Sequence, residues 1–279
     1  MRTISVAEIE LAVEDHGSGP VLLFVHGFPL DHTMWQAQID EFSKRYRVLA
    51  PDLRGFGQST LGDGPVTMRR YADDLAELLD RLDVRDKIVC CGLSMGGYIA
   101  WQFWHKYADR LAALVLCDTR AVADTPQAKA SRAELAARVK AEGPQAAADA
   151  MLPKLFSPET PSPSTVEGRG EGDADNRRSA VAETRAAILR NSPAGIAAAL
   201  DGMAQRPDAS EMLAGINVPT LVVVGEHDIL STPTEMRGIA EQIPGVQFAL
   251  IPAAGHMSPL ENPGAFNAAL ANFLTATGF

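Results

Sequence analysis

Ser94 stands in Gly92-Leu93-Ser94-Met95-Gly96-Gly97, directly after the β-rich run 87–91 and directly before a helical pattern that begins at Met95. A serine on such a strand-to-helix turn is held in strained backbone at the carboxyl edge of a sheet, with small neighbours letting strand and helix approach. That setting suits a nucleophile better than a helix cap. A hydroxyl is a weak nucleophile, so it needs a base, and the base needs an orienting acid. His256, in Gly255-His256-Met257, follows the strand-like run 247–251 and is the candidate base; of the six histidines, only it and His227 come after the last strand-like runs. Asp228, in Gly225-Glu226-His227-Asp228, follows the run 220–224 and is the candidate acid. Glu226 is two residues away, and Asp118, which also ends a strand-like run, is its rival. An acyl-transfer oxyanion also needs donors. The turn His26-Gly27-Phe28-Pro29 after the run 21–25 can aim the backbone N–H of Phe28, and Met95 offers a second N–H just after the serine. His26 is read as a brace for that loop. A metal site built on His26 and His32 lacks further ligands at suitable spacing, so no metal is expected.

The elements that must position these groups are legible as a pattern. Strand-like runs fall at 9–14, 21–25, 46–49, 87–91, 111–117, 220–224 and 247–251, and helical patterns at 68–82, 95–107, 233–243 and 263–274. In the first helical pattern Tyr71, Leu75, Leu78, Leu79 and Leu82 share one face. Alternation of strand and helix implies a parallel α/β sheet covered on both sides, whose strand ends converge on one site. Composition shifts after Thr119: the stretch 121–150 holds twelve alanines and no strand signal. A Pro/Gly-rich stretch at 157–176 reads as a loop, and helices are expected at 175–190 and 193–204. The expected organisation is a core of 1–120 and 208–279 interrupted by a helical cap of 121–207.

The segments HGFPLDHTMW, DLRGFGQS, GLSMGGYIAW, GEHD and GH occur in that order, and together they resemble the α/β-hydrolase superfamily. Within it, HGFPLDHTMW with GLSMGGYIA is most similar to the branch of 3-oxoadipate enol-lactonases and small carboxylesterases. The resemblance implies a mostly parallel eight-stranded sheet with helices on both faces and an inserted cap. It implies Ser94 as nucleophile, Asp228 as acid, His256 as base, and Phe28 and Met95 as oxyanion donors. Serine at the turn argues against the dehalogenases and epoxide hydrolases of the same fold, which carry aspartate there. The expected activity is cofactor-independent hydrolysis of a small carboxylic ester or lactone through an acyl-enzyme. Perhydrolysis of the cofactor-free haloperoxidase kind and C–C bond hydrolysis are alternatives on the same residues, and a ligand-binding receptor on this fold is the non-enzymatic one.

Composition trims the partners. The net charge is −10 over 279 residues, which disfavours nucleic acid and anionic membrane surfaces. Three cysteines, Cys90, Cys91 and Cys117, form no disulfide or metal-binding pattern, and the N-terminal stretch carries acidic residues where a signal peptide needs an apolar run. A reduced cytoplasm is therefore expected. Oligomeric state, a homo-oligomer included, is left open. Phe28, Leu30 and Met95 are expected to contact substrate. The cap arginines Arg120 and Arg132 are read as solvated surface charges, so small uncharged esters are the expected substrates. Tyr98, Trp101 and His105 share a helical face and are read as packing residues, and 52–59 as a structural loop.

Overall fold

The computed structural model describes residues 1–157 and 171–279, with side chains described from Ala180 onward in the second stretch. In chain order the elements are β1 (Arg2–Val6), β2 (Ile9–His16), β3 (Val21–Val25), α1 (Gln36–Phe42), β4 (Arg47–Pro51), α2 (Met68–Arg81), β5 (Ile88–Leu93), α3 (Met95–Tyr107) and β6 (Leu111–Cys117). Four helices follow, α4 (Pro126–Glu142), α5 (Gln145–Leu155), α6 (Glu171–Arg190) and α7 (Pro193–Ala204). The chain closes with β7 (Thr220–Gly225), α8 (Pro233–Ala240), β8 (Gln247–Ile251), α9 (Ser258–Glu261) and α10 (Pro263–Thr277).

The described strands join one eight-stranded sheet in the order β1-β2-β4-β3-β5-β6-β7-β8. The first two pairings, β1 with β2 and β2 with β4, are antiparallel, and every later pairing is parallel. Every residue of β3, β5 and β7 is buried. Since successive side chains point to opposite faces, this means both faces of the central sheet are covered. That explains why these strands read in the sequence as continuous apolar runs rather than alternations. The register sets Gly92 of β5 beside Leu116 of β6, and Val223 of β7 beside Cys117, so the carboxyl ends of β5, β6 and β7 finish side by side.

Two expectations need correction. Arg2–Val6 is a strand that the apolar pattern of the sequence does not mark; it is an exposed edge strand whose polar residues carry little hydrophobic signal. The Pro/Gly-rich stretch 157–176 is not a loop to its end, because α6 already begins at Glu171. Local composition is a weak guide where a helix extends from a well-packed later half. The remainder of that expected loop, 158–170, lies outside the described residues. Between β6 and β7, α4 packs on α7 and α5 packs on both α4 and α6. No helix among the described residues is long and apolar enough to cross a membrane.

Candidate active site

Ser94 occupies the turn between β5 and α3 with φ 55° and ψ −111°, a region L residues seldom adopt. The turn is fixed from both directions. Its N–H donates to the Cys117 carbonyl at the end of β6 (2.9 Å), and its carbonyl accepts from the Thr119 hydroxyl (2.8 Å) and the Gly97 N–H (2.9 Å). Close approach explains the neighbouring glycine: a Cβ on Gly96 would lie 2.2 Å from the Val25 carbonyl oxygen of β3. A polar side chain is thus presented at the sheet edge because the backbone beneath it has no other course.

His256 follows β8 and is buried, and its Nδ1 lies 2.8 Å from Oδ2 of Asp228. The other oxygen of Asp228 accepts from the N–H groups of Leu230 (2.7 Å) and Ser231 (3.1 Å). A carboxylate held by two amides and an imidazole is well provided as an anion, and it orients the ring so that Nε2 is left for other partners. The His256 loop is braced by Glu261, whose oxygens accept from the N–H groups of Gly255 (2.8 Å) and Ser157 (2.8 Å). Nothing in the local sequence around Glu261 marks it for that task.

Asp118, the rival acid, lies close by but is engaged differently. Its Oδ1 accepts from the Gly225 N–H (2.8 Å) and its Oδ2 from the Ser258 hydroxyl (2.5 Å). Burial first, and then the charge of Asp228, push its carboxyl well above the usual carboxylate range. Of the two aspartates, it is therefore Asp228 that meets the imidazole.

The loop after β3 runs alongside the serine. A Cβ on Gly27 would fall 3.5 Å from Ser94 Cβ and 2.8 Å from a Leu93 methyl, so what the glycine supplies here is clearance. Neither the Phe28 N–H nor the Met95 N–H is paired with an acceptor among the described residues. His26 is fully buried; its Nδ1 is 2.9 Å from the Gly27 carbonyl and its Nε2 accepts from the Leu53 N–H at 2.9 Å. Burial holds its pKa below the usual imidazole value, in keeping with a neutral ring that ties two loops together.

Ser94, His256 and Phe28 line one cavity of 430 Å³, roofed by Leu135 of α4, Met151 of α5 and Leu200 and Met203 of α7. Several expected contacts fall elsewhere. Leu30 lines a separate cavity of 260 Å³ with Met34 and Thr184, and the Met95 side chain is fully buried outside the lining. The turn that turns Ser94 outward sends the next side chain inward. Tyr98, read as a packing residue, lines the cavity one helical turn beyond Ser94 and carries the Arg206 guanidinium over its ring at 4.1 Å. Arg120 and Arg132 line it too, so they are not simply solvated. Arg120 pairs with Glu235 (2.7 Å) and Arg132 with Asp124 (2.5 Å). Trp101 donates to the Arg120 carbonyl (3.2 Å), and His105 is exposed.

The loop 52–59 has the structural character expected of it. Asp52 accepts from the His32 and Gln58 N–H groups, at 3.0 and 2.9 Å, and the buried Arg54 forks onto Asp74 at 2.7 and 2.8 Å. Among the described residues two clusters have donor atoms mutually within 4.8 Å, as a metal site would need: Asp31 with His32 and Asp52, and Asp118 with Asp228 and His256. In both, the donors are engaged with one another, with backbone amides or with neighbouring side chains. In the first, for example, His32 Nδ1 is 2.6 Å from Asp52 and Asp31 pairs with Arg190 at 2.8 Å.

This strand order and the turn at Ser94 define an α/β-hydrolase, and the chain belongs to that family: the family model for the alpha/beta hydrolase fold matches residues 20–263. Among solved structures, a thermophilic esterase from Thermogutta terrifontis, with malate bound, is 44% identical, with full coverage of both chains and a TM-score of 0.92. The enol-lactonase from Burkholderia xenovorans is 29% identical over 98% of this chain and 100% of its own, with a TM-score of 0.85. A curated 3-oxoadipate enol-lactonase from Acinetobacter baylyi is 29% identical, over 92% of this chain and 90% of its own length.

Proposed function

We propose that the chain hydrolyses small carboxylic esters or lactones through an acyl-enzyme on Ser94. The observation that carries this reading is the buried His256–Asp228 pair at 2.8 Å opening onto the cavity that Ser94 also lines. Ser94 Oγ attacks the carbonyl carbon while His256 Nε2 takes its proton. Asp228 holds the Nδ1–H tautomer and stabilises the imidazolium. The Phe28 and Met95 N–H groups receive the oxyanion, a contribution of roughly 3 to 4 kcal/mol per donor in comparable chemistry. His256 then returns the proton to the departing alkoxide. Water, deprotonated by the same ring, attacks the acyl carbon, and the serine is regenerated.

The names of the esterase and enol-lactonase relatives support ester and lactone bonds as the target. In this reading residues 121–207 act as the cap over a core of 1–120 and 208–279, and supply the apolar wall for the acyl or leaving group. The cavity lining also carries Arg120, Arg132, Arg138 and Lys154 beside Asp124 and Glu134. With malate bound in the Thermogutta relative, this favours acceptance of carboxylate-bearing esters as well as uncharged ones. Three buried, reduced cysteines fit a cytoplasmic setting. Ser94→Ala is expected to lower turnover of p-nitrophenyl butyrate by roughly 10⁴-fold or more with folding retained. Burst and steady-state rates equal to the parent's in that variant would overturn the reading.

A further inference from the structure

Beside the Asp228–His256 pair lies a buried titratable group that the mechanism above leaves unused. Asp118 follows β6, the strand between those that end in Ser94 and lead to Asp228, and its side chain has no solvent exposure. One oxygen from each carboxyl and a ring nitrogen of His256 all lie within 4.8 Å of one another. The backbone of Asp118 has φ 46°, a conformation non-glycine residues seldom adopt, so the surroundings hold the residue where its own preference does not. Its two hydrogen bonds, from the Gly225 N–H and the Ser258 hydroxyl, join the loops that bear Asp228 and His256.

We propose that Asp118 is a reserve acid for His256, silent while Asp228 is charged and able to orient and stabilise the imidazolium when Asp228 is gone. The proposal rests on the reading of Ser94 and His256 as nucleophile and base. Its logic is electrostatic. Two carboxyl groups so close in a dry interior do not both ionise readily. Asp228 has two amide donors and the imidazole as partners, and Asp118, buried and facing the Asp228 charge, holds its proton more tightly than an ordinary carboxyl does. The groups facing Asp118 are Asp228, His256, the Ser258 hydroxyl and the Cys117 thiol. Of these, Asp228 is the acid whose charge opposes ionisation. Remove it, and Asp118 loses its proton to solvent at a lower pH than before, leaving an anion beside His256. The Ser258 hydroxyl and the Gly225 amide, which already point at its oxygens, stabilise that anion.

The test compares the parent, Asp228→Ala, Asp118→Asn/Asp228→Ala and Ser258→Ala/Asp228→Ala for hydrolysis of p-nitrophenyl butyrate as a function of pH. Alanine is chosen at 228 because an asparagine amide would donate to Nδ1 and lock the wrong tautomer. Asp228→Ala is expected to keep hydrolysis about 10²-fold below the parent, with a climb in rate with pH additional to the His256 ionisation that the parent already shows; loss of all carboxylate support costs roughly 10⁴-fold. Adding Asp118→Asn should remove that additional climb, leave only the rise set by His256, and take the rate to that lower level. Because Asp118→Asn can disturb folding, Ser258→Ala gives an independent reading. It removes a donor to the Asp118 anion, so the climb should move to higher pH. A climb that Ser258→Ala leaves in place, or a rate and profile that Asp118→Asn leaves unchanged, overturns the reserve role. Hydrolysis by Ser94→Ala at the parent's rate overturns instead the reading on which it rests.

Discussion

Two buried histidines near the site carry opposite electrostatic assignments, and each yields a signed expectation. His26 is desolvated, and burial depresses its pKa in the folded state. The unfolded chain therefore takes up the proton first, so this contribution to stability is complete above about pH 6.5 and is lost as the pH falls below it. His32 is the reverse case: burial works against its charge, but the hydrogen bond and charge of Asp52 outweigh it and raise the pKa. Its contribution is complete below about pH 6.5 and is lost as the pH climbs through the raised value. Urea-unfolding midpoints measured across pH should fall less steeply on the acid side in His26→Gln, and less steeply on the alkaline side in His32→Gln. Identical profiles in both variants and the parent would refute the assignment. At this scale Ser94, Asp228 and His256 were legible because each follows a strand-like run. Which aspartate meets the imidazole was not, since Asp118 and Asp228 both follow strands that end at the same sheet edge.

At the scale of elements, the β5–α3 turn shows how packing, not propensity, dictates residue type. Gly96 lies where α3 comes down on β3, and the atoms a Cβ would strike are the carbonyl oxygen of Val25 at 2.2 Å and its carbon at 2.9 Å. Backbone of a buried central strand cannot step aside. Gly96→Ala should therefore destabilise the protein by about 3 kcal/mol, the scale of overpacking a well-filled core. It should also depress hydrolysis further by displacing Ser94, with thermal unfolding and ester turnover as the two measurements. An alanine variant with parental stability and rate would mean that strand and helix can separate here at no cost. The strands and helices of the sheet were readable from apolar runs and from the single apolar face of α2. The edge strand β1 was not, because three of its five positions are exposed. The start of α6 was not either, since composition alone does not say how far a packed helix extends toward its N-terminus.

For the molecule as a whole, the decisive feature is how the helices between β6 and β7 are tied to the sheet. Asp124, just ahead of α4, pairs with Arg206, just after α7, at 2.6 Å, and with Arg132 of α4 at 2.5 Å. The Ala209 N–H donates to the Ala121 carbonyl at 2.9 Å, so the two stems of the insertion run together. Arg206 in turn lies over Tyr98, on the wall of the cavity. Asp124→Asn leaves Arg206, itself buried, without its anion, and breaking a buried pair in this way costs about 3 kcal/mol. The same variant should raise KM for a p-nitrophenyl ester more than it lowers kcat, because the chemistry at Ser94 is untouched while the roof loosens. Unchanged stability and KM would show that the stems are held by other contacts.

Sequence alone determined the order of the strands after β1 and the chain positions of the candidate nucleophile, acid and base, because apolar runs and strand-end turns are local properties. Only the tertiary structure decided which aspartate pairs with His256, that Tyr98, Arg120 and Arg132 face the cavity while Leu30 and Met95 do not, and that Asp118 lies buried behind the pair. Each of those depends on the direction of side chains from strands and helices far apart in sequence, and on the water that their packing excludes.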